Sequence, residues 1–319
     1  MRAAIALLAD GRHHNKTDLK SILAIDEAEL DRLLEDLEAL GVQRDSDGRT
    51  GFSAPLDLLS EKRIRARLSA SASGDFSAIE LLLTTGSTND EAMAYCRTHP
   101  SDTGRVWLAE QQTAGRGRLG REWYSPFARN IYLTTVVNMP ASSAMQGLSL
   151  AIGVAVARAF AALNLPAPKL KWPNDILYEH KKLGGILIEL PDAARAVIGV
   201  GINVRMSPQA SRHISQDWTD LAQVCTQPPA RNTLVAEFLN ALSQVLKEFR
   251  QAGLESSLCA EWQALDAMRG LEVTVKTASG RIEGVARGID SRGALKLDRF
   301  QGERSFDSTE VSLRPTNPF

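Results

Sequence analysis

Apolar residues recur at helical spacing through Leu30, Leu33, Leu34, Leu37 and Leu40, and the run closes on Gly41. A helix is therefore expected from Asp26 to Leu40. Ahead of it, Ala3–Ala9 reads as a first helix ended by Asp10-Gly11, with Thr17 as the cap of a second helix reaching Leu23. Behind it, Val42-Gln43-Arg44, Asp47-Gly48-Arg49 and Gly51-Phe52 read as a short hairpin. Three short helices and a hairpin over residues 1–66 predict a winged helix-turn-helix domain. A further helix, about Leu56 to Leu68, leads into Ser69-Ala70-Ser71-Ala72-Ser73-Gly74, small and polar enough to be expected as a linker.

The middle of the chain, residues 67–268, alternates periods. Val106–Glu110, Ile131–Val137, Lys169–Trp172, Asp175–Glu179, Ile186–Leu190 and Val197–Val204 are strand-like; Gly147–Leu163 and Thr233–Phe249 are helical. The spans Asp175–Leu190 and Ile186–Val204 read as hairpins, which makes the sheet partly antiparallel and the class α+β rather than doubly wound. From residue 269 to 319, Leu271, Val273 and Val275 alternate with polar residues. Turn signals at Ala278-Ser279-Gly280, Ser291-Arg292-Gly293 and Gln301-Gly302 space out further strands. A small β-barrel of about 50 residues is expected there. The expectation is thus an α+β chain of three domains.

Composition narrows the functional classes. At 319 residues with 44% hydrophobic and 24% charged positions, the chain has the balance of a globular protein. A formal net charge of −1 excludes polyanion binding driven by whole-chain charge. Cys96, Cys225 and Cys259 form no C-x-x-C pair and the five histidines no H-E-x-x-H, so neither a disulfide framework nor a zinc site is expected. The uncharged run from Asn130 to Ala157 holds Asn138, Pro140, Ser142 and Gln146, too polar for a span. No signal segment is apparent, because Asp10-Gly11-Arg12 interrupts the short Ala3–Ala9 run. A cytoplasmic location without membrane attachment is expected.

Gly115-Arg116-Gly117-Arg118-Leu119-Gly120 matches G-x-G-x-x-G. A dinucleotide reading needs a helix to begin inside the motif. Here Trp123, Tyr124 and Pro126 follow, and then a strand, so that reading fails. No H-R-D or D-F-G follows for a kinase. What remains is a loop with Arg116, Arg118 and Arg121 and no acid between residues 114 and 121. It is suited to a phosphate or carboxylate, or else is an exposed turn with solvated arginines.

Gly86-Ser87-Thr88-Asn89, Glu110-Gln111-Gln112, the glycine–arginine loop, Lys171-Trp172-Pro173-Asn174-Asp175, Lys182-Leu183-Gly184-Gly185-Ile186 and Gly199-Val200-Gly201-Ile202-Asn203 follow one another in that order. This set resembles the biotin protein ligase family. With the N-terminal module it is similar to the bifunctional group that also represses the biotin operon. The resemblance implies a mixed α/β ligase domain like class II synthetase and lipoate ligase folds, with an SH3-like C-terminal barrel. It also implies two reactions: biotin and ATP give biotinyl-5'-AMP and pyrophosphate, and the biotinyl group then passes to one lysine of a biotin carboxyl carrier protein of acetyl-CoA carboxylase.

A carboxylate attacking a phosphate brings two anions together, and one well-placed donor is worth about 2.7–4 kcal/mol of barrier. By the match, Arg116, Arg118 and Lys182 would supply that charge, with Gly115, Gly117 and Gly185 allowing close approach. Ser87, Thr88, Asn89 and Gln112 would meet the ureido ring, their plainer role being to cap a helix through Cys96. Trp123 would wall the adenine, its plainer role being a core tryptophan. Arg121, Asn174, Asn203 and Arg314 would line the nucleotide, and Asp175 would orient or deprotonate the incoming amine. Mg²⁺ is expected to arrive with ATP, and a ligand-linked homodimer is implied. The loop is expected to be mobile until biotin and ATP order it. Leu119 departs from the bifunctional relatives, which often carry another arginine there.

Charge weighs against DNA recognition. Between Asp26 and Leu40 stand seven acids and one base, Arg32, and residues 1–60 hold 12 acids and 7 bases. Such a helix repels phosphates. Lys16, Lys20, Arg32, Arg44 and Arg49 are the candidates for operator contact. Three alternatives stay open: a ligase whose N-terminal domain no longer reads DNA, a non-catalytic biotin-sensing transcription factor, and a lipoate ligase. The last is disfavoured by the absence of R-R-x-x-G-G-G and the presence of K-W-P-N-D.

Overall fold

A computed structural model describes residues 1–139, 147–255, 257–277, 280–299, 302–307 and 312–316. The chain opens with helices α1 (Arg2–Leu8), α2 (Lys16–Leu23) and α3 (Glu27–Glu38) and an antiparallel hairpin of β1 (Val42–Arg44) and β2 (Thr50–Phe52). Asn15, not Thr17, caps α2, its side chain accepting from the Asp18 N–H. Asparagine outranks threonine at that position, which leaves Thr17 inside the first turn. Asp26 and Glu29 close a capping box on α3. Ile5, Leu8, Leu19, Leu30, Leu34, Leu37 and Phe52 are buried together with Phe127 and Ala128, so this module's core runs into the body of the protein. Phe52 stacks on Phe127 with ring centroids 6.0 Å apart.

Only Glu61–Arg65 of the expected fourth helix is helical (α4), capped by Ser60. The preceding main chain finds better partners elsewhere: Leu59 N–H donates to Glu110 Oε1 and Ser60 N–H to Asn232 Oδ1, each at 2.7 Å. The serine-rich stretch is no loose linker. Ser69 caps a helix, α5 (Ala70–Asp75). Ser69 N–H donates to Asn240 Oδ1 at 2.8 Å and Ser71 meets Ser243 at 3.0 Å. Small side chains let two helices approach closely enough for hydroxyls to bond.

The body is a seven-stranded sheet in the order β3-β4-β5-β9-β8-β7-β6. Its strands are β3 (Ala78–Thr85), β4 (Arg105–Gln112), β5 (Ile131–Asn138), β6 (Lys169–Lys171), β7 (Asp175–Tyr178), β8 (Lys181–Glu189) and β9 (Arg195–Ile202). β3 and β4 run parallel and the other neighbours antiparallel. β3 escapes the sequence pattern because Leu81-Leu82-Leu83 does not alternate. Helix α6 (Thr88–Thr98) connects β3 to β4; α7 (Leu148–Ala162), the short α8 (Leu221–Val224), α9 (Arg231–Ala252) and α10 (Ser257–Leu265), also unanticipated, complete this part.

Strand parity sorts the sheet's two faces. Ala196, Ile198, Val200 and Ile202 of β9 join the main core with α7 and α9. Val197 packs with Ala92, Cys96 and Trp107 on the other face. Gly199 and Gly201 share that second face, with Thr134 and Tyr132 opposite them on β5 and Leu187 and Gly185 on β8.

The chain ends in an antiparallel sheet, β13-β12-β11-β10-β14, formed by β10 (Glu272–Thr277), β11 (Gly280–Ile289), β12 (Leu295–Asp298), β13 (Arg304–Phe306) and β14 (Ser312–Pro315). The turn expected at Ala278-Ser279 and the Gln301 position lie outside the described residues. Trp172 Nε1–H donates to Gly293 O at 3.0 Å and joins this sheet to the body. Among the described residues no helix is long and apolar enough to cross a membrane.

Candidate active site

The glycine-bearing face of β8 and β9 floors a cleft of about 820 Å³, bounded by the glycine–arginine loop, residues 171–175, residues 213–217 and Arg314 of β14. The absence of side chains at Gly201 and Gly199 makes the floor usable. A Cβ on Gly201 would stand 2.7 Å from the Trp123 ring, and one on Gly199 2.2 Å from Asn89 Oδ1. Trp123 therefore lies flat on the floor, its Nε1–H buried without a partner and Lys182 Nζ 5.4 Å from its ring centroid.

One end of the cleft is lined by hydroxyl and amide groups that bond to one another. Gln112 Oε1 accepts from the Thr88 N–H at 2.9 Å and from its hydroxyl at 3.1 Å, while Nε2–H donates to Ser125 Oγ at 3.1 Å. Thr134 Oγ1, fully buried, lies 2.7 Å from Asn89 Oδ1 and 2.8 Å from Thr88 Oγ1. Asn89 Nδ2–H donates to Glu189 Oε2 at 2.7 Å. Ser87 stands at the cap position of α6 without a side-chain cap bond, and it is Gln112 that takes a first-turn N–H, that of Thr88. Ser87, Thr88, Asn89 and Gln112 all line the cleft.

The other end gathers charge. Lys182 Nζ lies 2.7 Å from Asp175 Oδ1, and Lys171 Nζ 3.5 Å from Oδ2. Burial works to raise the Asp175 pKa, but the charges of Lys182 and Lys171 outweigh it and hold the carboxyl below its ordinary value. A carboxylate so held is a poorer proton acceptor. Asp175 thus orients Lys182, and the expected deprotonation of an amine loses its basis. Burial lowers the Lys171 and Arg118 pKa values, Asp175 pulling each back up. Arg118, Arg121, Gly117, Asn174, Gly185 and Arg314 also line this cleft.

Three expected residues stand differently. Arg116, although in the lining, is engaged by acids: Nη1 lies 2.5 Å from Asp90 Oδ1, and Nη2 lies 2.9 and 3.0 Å from the two oxygens of Glu189. Two carboxylates satisfy the charge that was expected to hold an incoming anion. Asn203 is buried and turned from the cleft, its Nδ2 donating to Thr219 O at 3.0 Å and Lys182 O at 3.4 Å. Gly115 packs against Trp123 O, Ser125 Oγ and Gln112 Nε2 rather than facing the space, its hydrogen leaving room for those atoms.

Glu189, Lys171, Tyr124 and His213 were missed. Glu189 was legible as the lone acid of an apolar strand, and Lys171 as the first residue of K-W-P-N-D. The Tyr124–His213 stack, centroids 4.6 Å apart, joins two separate loops and has no sequence signal. Main-chain bonds brace the glycine–arginine loop, Gly117 N–H donating to Arg121 O at 2.7 Å and Trp123 N–H to Gly115 O at 2.8 Å. Among the described residues no group of three or more His, Cys, Asp or Glu is placed to hold a metal ion.

In the N-terminal module the candidate DNA contacts meet acids of α3. Lys16 pairs with Asp31 at 2.5 Å, Lys20 with Glu27 at 3.3 Å and Arg44 with Glu38 at 3.1 Å. Arg32 and Arg49 are exposed.

A cleft with a cationic end facing a hydroxyl–amide end suits a ligand with an anionic group at one end and an uncharged hydrogen-bonding group at the other. The family model for the Biotin/lipoate A/B protein ligase family matches residues 83–203, and that for the Biotin protein ligase C terminal domain matches residues 270–314. Over 317 residues the chain is 34% identical to the bifunctional ligase/repressor BirA of Escherichia coli K12, covering 97% of this chain and 96% of that one. It is 36% identical over 257 residues to the biotin--[acetyl-CoA-carboxylase] ligase of Mycobacterium tuberculosis, covering 78% and 92%. The solved biotin protein ligase of Aquifex aeolicus, in complex with biotin and ATP, superposes with a TM-score of 0.67 at 26% identity, covering 76% of this chain and all of that one. The chain belongs to the biotin/lipoate A/B protein ligase family, among the biotin protein ligases.

Proposed function

We propose that the chain joins biotin to ATP, retains the resulting biotinyl-5'-AMP and transfers the biotinyl group to one lysine of a biotin carboxyl carrier protein. The observation that carries this reading is the pairing of a cationic end with a neutral hydrogen-bonding end across one cleft. Biotin has that polarity: a carboxylate at one end, and a ureido ring with two N–H donors and one carbonyl at the other. The ring sits by Ser87, Thr88 and Gln112, which brings the carboxylate toward Arg118 and Lys182. A carboxylate oxygen then bonds to the α-phosphorus as the bond to pyrophosphate breaks. Arg118 and Lys182 neutralise the charge that develops, and Arg121 and Arg314 hold the nucleotide.

In the second step the carrier lysine's neutral amine attacks the acyl carbonyl of the mixed anhydride, AMP leaves with the bonding electrons and the amine's surplus proton passes to water. Lys182, fixed by Asp175, stays beside the departing phosphate. In the first step Mg²⁺ arriving with ATP would screen the charge of the triphosphate.

The same reading takes residues 1–66 as a winged helix-turn-helix domain, 67–268 as the ligase domain and 269–319 as an SH3-like barrel, in a cytoplasmic protein that dimerises with ligand. For residues 1–66 a second reading is favoured by the pairing of Lys16, Lys20 and Arg44 with α3: a domain that binds operator DNA weakly, or not at all. A gel shift on the chain's own biotin-operon upstream region, with biotinyl-AMP present and salt varied, separates repressor from ligase alone.

The ligase reading is tested by mixing the protein with biotin, Mg-ATP and a carrier domain and probing with streptavidin. Labelled carrier is expected. Arg118→Ala is expected to leak adenylate or to form it roughly 10²-fold more slowly. Biotin binding without labelled carrier would instead mark a non-catalytic sensor.

A further inference from the structure

Arg116 is the guanidinium of the glycine–arginine loop that the cationic end does not use. Its Nη2 is gripped by both oxygens of Glu189, at 2.9 and 3.0 Å, and its Nη1 lies 2.5 Å from Asp90 on α6. The same Glu189 reaches the opposite way. Its Oε2 accepts from Asn89 Nδ2–H at 2.7 Å, and Asn89 Oδ1 in turn lies 2.7 Å from the buried hydroxyl of Thr134. That hydroxyl also meets Thr88 Oγ1 at 2.8 Å. One carboxylate at the end of β8 therefore touches both the loop that carries Arg118 and the hydrogen-bonded end of the cleft.

The network leaves little freedom. Turning the Asn89 amide over would set its oxygen against the Glu189 carboxylate and its NH₂ against Thr134. Gly199 makes the room this amide occupies, since a methyl there would stand 2.2 Å from Asn89 Oδ1. Asp90 is the weaker arm, its side chain 58% exposed against 27% for Glu189. Charge screening by water falls on the first much more than on the second.

We propose that Glu189 is a positioning residue of the adenylating site, acting through Arg116 and Asn89. Its carboxylate latches the glycine–arginine loop over the cleft and sets the amide at the neutral end, so one group couples loop closure to the geometry around the ligand's ring. Arg116 is then the loop's tether, and binding the reacting anions falls to Arg118 and Lys182. This rests on the ligase reading above.

The test follows the adenylate rather than folding. Biotin-dependent pyrophosphate release by the unaltered protein checks the ligase reading first, and its absence would sink that reading before any variant is made. With adenylate formed, its escape is timed in Glu189→Gln, Arg116→Gln and the double variant. Each single change is expected to speed escape about tenfold, since a bidentate charge-assisted pair becomes neutral. The pyrophosphate-release rate at saturating biotin should change less than escape does, while KM for biotin rises. The double variant should be no worse than Glu189→Gln alone, as residues that share a contact require. Glu189→Asp, which keeps the charge, should recover part of the retention, and Asp90→Asn should have the smallest effect. Adenylate held as tightly by Glu189→Gln as by the unaltered protein, or single effects that multiply in the double variant, would overturn the proposal. If Glu189→Gln does not fold, Arg116→Gln reads the same contact from the loop side, and unchanged escape there overturns it equally.

Discussion

The two ends of the cleft are built on opposite principles. At the neutral end Thr88, Asn89, Gln112, Ser125 and Thr134 bond to one another, and Glu189 holds the Asn89 amide from behind. At the cationic end Lys171, Lys182, Arg118 and Arg314 gather near a single buried carboxylate, Asp175. Burial lowers the Lys171 and Arg118 pKa values, a standing cost that an incoming anion relieves. Preorganised hydrogen bonds select a shape; gathered positive charge stabilises an anion that develops beside it. The first end should therefore govern affinity and the second the rate.

The sharpest way to break that contrast is Lys182→Met. Adenylation is expected to fall roughly 10²–10³-fold, because a donor at the reacting phosphate is lost and Asp175 loses its nearer lysine. Pyrophosphate release measures this, and a loss below about threefold would remove Lys182 from the chemistry. Thr134→Val probes the other end. It deprives Asn89 and Thr88 of a shared partner, so KM for biotin should rise about tenfold with kcat within about twofold of normal. A fall in kcat with KM unchanged would show that the ends are not separable in this way.

Asp266, outside both ends, supplies the smallest effect and a control. Burial pushes its carboxyl up to about 6, and although Oδ1 accepts from the Met268 N–H at 2.9 Å, Oδ2 is buried without a partner. An acid raised on folding stabilises the folded chain below its ordinary value of 3.8, and that contribution is lost as pH climbs through about 6. Asp266→Asn is thus expected to raise Tm by roughly 2 °C well above that pH. The gain should shrink to nothing as pH is lowered toward 3.8, with biotin KM and kcat unchanged. A gain that did not depend on pH would assign the effect to packing.

Much of this architecture is legible along the chain, and the misses have physical causes. The helices and strands around the motifs follow from apolar periodicity, and the glycine–arginine loop lacks the helix of a dinucleotide site because Pro126 and a strand come too soon. The stretch Ser69–Gly74 misleads because small polar residues suit a flexible linker and a close helix contact equally; α9 decides between them. Arg116 reads as an anion ligand because its local sequence holds no acid. The carboxylates that claim it lie 26 and 73 residues away. Asn203 reads as a site residue from the G-V-G-I-N motif, but its side chain turns to the carbonyl oxygens of Thr219 and Lys182.

The sequence by itself determined which elements form and which chemical groups are on hand, because helix period, strand alternation, caps and glycine are properties of neighbours. Only the tertiary structure decided how the charges are shared: Arg116 bound to Glu189, Lys182 to Asp175, Lys16 to Asp31. Electrostatic energy depends on distance in space and on burial, and neither can be read from distance along the chain.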